Sequence, residues 1–180
     1  MKKLLFMIAV IAANYSYAQL SKLAVYNYSP YKLQTRFGAN GPSNCYPAVL
    51  AVPAPGTGSN TFPAGSPSAP FISEYTYSTS NVAAMPVYSW WVRNSLANPG
   101  IDRPYNHPAV SPTSVVGTTT DWTYFIFQAK DSANNSYGDF WMGTGTCNGN
   151  VSTHEVGTYA EAEWFTLTSG GTAYTIVQVF

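Results

Sequence analysis

Alternation of apolar and polar side chains, rather than helical spacing, dominates this chain. Residues 31–37 show it most cleanly. Tyr31, Leu33, Thr35 and Phe37 fall on one face, and Lys32, Gln34 and Arg36 on the other, the period of a half-buried strand. Comparable runs bounded by turn residues occur at 23–28, 48–52, 71–78, 86–94, 122–129, 137–142, 158–167 and 173–180. No window of a dozen residues repeats apolar side chains at three and four, and Pro or Gly interrupts nearly every helical candidate. The segment 168–172 (Thr-Ser-Gly-Gly-Thr) reads as a hairpin turn. About eight to nine short antiparallel strands with no internal repeat point to an all-β fold. A β-sandwich, or a jelly-roll-like variant, is predicted.

Between the strands lie two long proline-rich stretches. Residues 53–70 contain Pro53, Pro55, Pro63, Pro67 and Pro70, too many missing donors for a central strand. An ordered surface loop is expected there, with Thr61 and Phe62 as a brief edge strand. A shorter turn is expected at 38–42. The second stretch, 96–112, carries Asn98-Pro99-Gly100 and then Asp102, Arg103, Tyr105 and His107. Loops held by a rigid sheet often carry function, although these polar residues define no reaction by themselves.

The N-terminus changes the picture of where the chain resides. Met1-Lys2-Lys3 is followed by an apolar run over 4–13 and by Ser16-Tyr17-Ala18 before Gln19. A basic start, a short apolar segment and a small-x-small site make a secretory signal peptide over 1–18, cleaved after Ala18. The run is too short for a membrane span of about 20 residues. Gln19, in place of cysteine, argues against a lipoprotein anchor. The leader resembles those of secreted Gram-negative bacterial proteins, so a secreted or periplasmic location is expected, with essentially no helix beyond the leader.

Residues 19–180 then form a single β-sandwich domain of roughly 160 residues, enough to bury ~70 % of the unfolded surface. Without Lys2 and Lys3, six of the eight basic side chains remain against eight acidic ones, a net charge of about −2. That balance provides no basic patch for a phosphate backbone, so no nucleic-acid partner is expected. Charged residues are 9 % of the chain and aromatic residues 16 %, so Ser, Thr, Asn and Gly must supply solubility.

The two cysteines, Cys45 and Cys147, are expected to pair, as in exported proteins generally. Metal binding is not expected, because neither His107 nor His154 stands at a recognisable ligand spacing. His154 and Glu155, as neighbours, would point to opposite faces of a strand, and a solvated loop tip is the simpler expectation. Motifs for a serine hydrolase elbow, a zinc protease, a P-loop or a dithiol pair are absent, and no cofactor is expected.

Strand phase makes the aromatic residues informative. In 86–94, Tyr88, Trp90 and Val92 form the inward set, which turns Ser89, Trp91 and Arg93 outward. In 137–142, Phe140 and Met142 point in while Asp139 and Trp141 point out. Phe125 and Phe127 are inward in 122–129, and the phase of Trp122 and Tyr124 is left open. Glu161 and Glu163, at i and i+2, project from one face about 7 Å apart, opposite Ala160, Ala162 and Trp164.

If Trp91 and Trp141 share a sheet with the Glu161 and Glu163 face, an aromatic platform edged by Arg93, Asp139 and carboxylates results. Such a platform suits sugars, whose apolar faces stack on rings while polar neighbours bond the hydroxyls. Alternatively, the loop 53–70 covers these rings as a satellite core. The leading expectation is a secreted, non-catalytic binding module for glycan or another cell-surface ligand, using Trp91, Trp141, Arg93, Asp139, Glu161, Glu163 and Tyr105. It resembles carbohydrate-binding modules in fold class and aromatic usage. Two other readings are carried: a membrane-interacting protein, toxin-like or an eight-stranded outer-membrane barrel, and a glycoside hydrolase using Glu161 and Glu163. The ~7 Å spacing does not exclude hydrolysis, but carboxylates on one strand sit on the same side of a scissile bond.

Overall fold

The structure, a computed structural model, describes residues 21–180 apart from Ser43 and Thr146; the expected signal peptide and its cleavage site lie outside the described residues. The strands are β1 (Lys22–Asn27), β2 (Lys32–Asn40), β3 (Ala48–Val52), β4 (Asn60–Phe62), β5 (Phe71–Tyr75), β6 (Ser89–Arg93), β7 (Ile101–Pro104), β8 (Asp121–Lys130), β9 (Ser136–Gly143), β10 (His154–Val156), β11 (Glu161–Ser169) and β12 (Thr172–Val179). The smaller sheet has the order β10-β11-β12-β1-β5 and the larger β7-β6-β3-β2-β8-β9, with β4 added to β2 beyond the end of β3. The two sheets pack face to face, so the fold is the expected β-sandwich. It is not the barrel also considered: both sheets keep open edges, and the space between them is filled with apolar side chains.

Alternation places that core. Leu33, Thr35 and Phe37 on β2, Phe125 and Phe127 on β8, and Phe140 and Met142 on β9 are all buried, as their phase predicts. Phe37 lies at the centre, with the rings of Phe62, Tyr75, Trp90, Trp122 and Phe125 all within 6.5 Å of its own. The buried Trp90 indole N–H is satisfied by Tyr77 O at 3.0 Å and Ser80 Oγ at 3.2 Å. Truncating a ring in such a setting costs about 3–5 kcal/mol through lost burial and the cavity left behind.

Several expectations are corrected. The β1–β12 pair is parallel, because the first strand inserts between the last one and β5. The twelve strands among the described residues exceed the eight or nine expected, since short edge strands at β7 and β10 carry too little pattern to be read. β7 lies within the proline-rich stretch 96–112, and β10 makes His154 and Glu155 strand residues rather than a loop tip. β2 continues through Asn40, where a turn was expected, because Gly38, Ala39 and Asn40 still pair with β3 and β8. Tyr88 is 55 % exposed although its phase is inward, because it precedes β6. Trp122, whose phase the sequence left open, is buried along with Phe125 because the ladder skips Thr123, a β-bulge opposite Gly38 and Ala39 that reverses the phase. The expected scarcity of helix holds: among the described residues it is confined to two single 3₁₀ turns and the five-residue α1 (Val115–Thr119), capped by Ser114 Oγ accepting the Gly117 N–H at 3.0 Å.

Along one side the sandwich is laced shut. Ser152 donates its N–H to Trp141 O at 2.8 Å, and Trp164 donates its N–H to Thr153 O at 2.8 Å. The segment leading into β10 therefore joins β9 of the larger sheet to β11 of the smaller one. The expected hairpin between β11 and β12 turns on Gly170 and Gly171, both at positive φ, as a two-residue turn of this hand requires.

Candidate functional site

The outer face of the larger sheet carries a broad groove. Its floor is a row of paired residues: Trp91 on β6 opposes Leu50 on β3, Leu50 opposes Gly38 on β2, and Gly38 opposes Tyr124 on β8. A side chain at Gly38 would strike the Val49 carbonyl and the Tyr124 hydroxyl, so glycine lets the phenol lie across the sheet. The groove over this row has a volume of about 620 Å³, within the range of small-molecule sites.

One wall comes from β6 and β7, where Trp91 and Asp102 are directly paired. Trp91 is half-buried, and a side chain at Gly100 would overlap its indole. Glycine at residue 100 therefore lets the turn before β7 press against the ring. Arg93 donates its Nε–H to Ser95 O at 3.2 Å and Asn98 O at 3.0 Å, and its guanidinium lies 5.6 Å from the centre of the Tyr46 ring. Arg93 thus ties together the two loops that flank its end of the groove.

The end wall is the disulfide. Cys45 and Cys147 are bonded, with their Cα atoms 5.4 Å apart and a separation of 102 positions in sequence. Asn40 fastens both loops to the sheet: its Nδ2 donates to Cys45 O at 3.1 Å, and its Oδ1 accepts from Asn148 Nδ2 at 3.0 Å and Thr123 Oγ1 at 2.7 Å. The staple therefore does more than shorten the unfolded chain, because it sets the position of two groove-lining loops.

Burial pushes the Tyr124 phenol up to about 12, an effect the nearby Arg36 charge partly offsets. Tyr124 is accordingly a neutral hydroxyl at ordinary pH. Arg36 is exposed and lines both this groove and a second one of about 340 Å³ farther along the same face. The second groove contains Trp141, which is 45 % exposed, together with Asp139 and Gln128. Gly58 and Ser59 form its rim, so the loop 53–70 borders Trp141 without covering it.

Of the residues singled out in the sequence, Trp91, Arg93, Trp141 and Asp139 share this face. Glu161 and Glu163 do not, because β11 belongs to the smaller sheet. The carboxylate edge of the expected platform is thus replaced by Asp102 and Asp139. Tyr105 follows β7, donates its N–H to Tyr88 O at 3.0 Å and lines neither groove. Sequence reasoning missed Tyr124, Tyr46, Asn40 and Asn148 as groove residues. The outward phase of Arg36 and the known cysteine positions were the available signals, but the pairing of β2 with β3 and β8 was needed to join them.

Glu161 has a different neighbour. His154 Nε2 lies 2.8 Å from Glu161 Oε1, while Glu155 turns the other way and accepts the Trp141 N–H at 2.9 Å. The neighbours His154 and Glu155 thus serve opposite faces, as expected of consecutive strand residues.

Chemically, the larger groove offers ring faces beside guanidinium, amide, hydroxyl and carboxylate groups, a set suited to hydrogen-bonding a polyhydroxylated ligand. No family model matches this chain, and neither the curated proteins nor the solved structures compared with it include a significant match.

Proposed function

We propose that the chain is an exported, non-catalytic binding module that takes a glycan across the outer face of its larger sheet. The observation that carries this reading is the sharing of Arg36 between the two grooves, which makes one path from Trp91 to Trp141. The path crosses four strand spacings, from β6 through β3, β2 and β8 to β9. Its length is roughly 20 Å, which suits a short oligosaccharide better than a single sugar. Trp91 and Trp141 supply stacking surfaces, and Arg36, Asp102, Asp139 and Tyr124 supply hydrogen bonds to hydroxyls. The disulfide agrees with an oxidising compartment, where surface glycans are met.

The test is a glycan array probed with the wild-type chain and with Trp91→Ala and Trp141→Ala. Hits that disappear in both variants, with thermal stability retained, support the reading. Binding that survives both substitutions would move any glycan site elsewhere.

A second reading has its own observation. On the outer face of the smaller sheet, Phe165, Leu167 and Ile72 are each more than a third exposed, and Phe180 follows β12 in the same condition. Such a face favours contact with an apolar phase. Co-sedimentation with liposomes, lost in Phe165→Ser, would support membrane contact, and recovery of all protein in the supernatant would end it.

A further inference from the structure

The smaller sheet brings together three side chains that the linear sequence keeps apart. β10 pairs antiparallel with β11, which sets His154 directly across from Glu163 and Val156 across from Glu161. His154 and both glutamates therefore project from the same outer face. One ligating atom from each of the three lies within 4.8 Å of the other two. The His154–Glu161 contact already stands at 2.8 Å.

The geometry points to a divalent metal site: we propose that His154, Glu161 and Glu163 bind one first-row divalent cation, with zinc the best match and water as the fourth ligand. One imidazole nitrogen and two carboxylate oxygens form a three-ligand set of the kind that leaves zinc one open position. Calcium and magnesium favour all-oxygen shells of six or more ligands, and a nitrogen donor with two carboxylates suits them poorly. Tetrahedral zinc holds its donors about 3.4 Å apart, given metal–ligand distances of about 2.0–2.2 Å. Side chains now within 4.8 Å reach that spacing by small rotations, and their partial exposure leaves room to make them.

The backbone beneath the site is fixed independently of any ion. Ser152 Oγ donates to His154 O at 2.7 Å and accepts the His154 N–H at 3.2 Å, and the Trp164 N–H holds Thr153 O. The other histidine has a different role, since His107 Nδ1 accepts the Ala109 N–H at 3.0 Å inside its own turn. A cation at His154 would clip the short edge strand β10 to β11, the same strand whose Glu155 holds the backbone of Trp141.

The test uses the full exported chain, stripped with EDTA and dialysed. Calorimetric titration with zinc sulfate is expected to show one ion per chain at micromolar affinity, with a higher melting temperature in the zinc-loaded protein. Cobalt(II) is expected to give the visible bands of a four-coordinate site, bleached by zinc. His154→Ala and Glu163→Gln each weaken zinc binding by at least ~10-fold while melting like the wild type in EDTA, and His107→Ala leaves it unchanged. In the wild type, zinc is expected to shift the His154 ring signals in the NMR spectrum and not those of His107, a readout that needs no variant. No saturable binding up to ~1 mM zinc, unchanged affinity in both ligand variants, or a shift confined to His107 would each overturn the proposal.

Discussion

The indole of Trp91 rests against Gly100, so closely that a methyl group at residue 100 would overlap the ring. The contact holds one wall of the larger groove through a residue that does not itself line it. Gly100→Ala is therefore expected to swing Trp91 out of its present position. Glycan affinity should fall by about 10-fold, the equivalent of one lost stacking contact of about 1.4 kcal/mol. Tryptophan fluorescence and titration with an array-identified glycan measure it, and unchanged affinity would show that the wall is not used.

Trp90 and Trp91 are neighbours with opposite fates, which gives a direct stability contrast. Trp90 is fully buried with both of its N–H contacts satisfied internally, so Trp90→Ala is expected to cost about 3–5 kcal/mol. Trp141→Ala, at a ring that is 45 % exposed, should change stability by less than ~1 kcal/mol. Urea denaturation followed by circular dichroism separates the two.

Breaking the Cys45–Cys147 bond should act on both stability and binding. The chain-entropy model sets an upper limit of about 4–5 kcal/mol for a closed loop of this length. The double substitution Cys45→Ser, Cys147→Ser is expected to lower the urea midpoint. Without urea, at a temperature where circular dichroism shows the variant folded, it should also weaken the proposed glycan binding, because the end wall loses its tie. A lower midpoint with full binding would leave the disulfide as a staple alone.

Alkaline conditions should destabilise the fold through its buried tyrosines. Burial raises the phenols of Tyr75, Tyr77 and Tyr124, the last to about 12, whereas an unfolded tyrosine ionises near 10. The folded state therefore holds these protons more tightly than the unfolded state. The contribution of Tyr124 is complete below pH ~10 and is lost as pH rises through ~12, and those of Tyr75 and Tyr77 are lost at higher pH still. Melting temperature against pH should be flat from these groups below pH ~10 and then fall. Tyr124→Phe should reduce that fall, and an unaltered alkaline limb would show that Tyr124 does not titrate as its burial requires.

Much of this architecture was legible because strand phase is a local property. Whether Phe140 or Trp141 faces inward depends on alternation within six residues, and the buried Phe140 and Met142 flank the exposed Trp141 as that alternation dictates. The same logic failed where the period was broken. Tyr88, expected inward, left the sheet before β6 began, and the bulge at Thr123 decided the phase of Trp122, which alternation had left open. The edge strands β7 and β10 escaped notice because three or four residues paired on one side hold little pattern.

Sequence by itself thus determined the all-β class, the cysteine partners to expect and which face of most strands turns inward, since each follows from short-range periodicity or from a count of two. Only the tertiary structure decided which outward residues meet. It put Trp91, Arg36, Tyr124 and Trp141 on one sheet, sent Glu161 and Glu163 to the other, and delivered His154 to them. The physical reason is that sheet membership is set by hydrogen-bond pairing between strands far apart in the chain, and alternation along one strand holds no information about its partner.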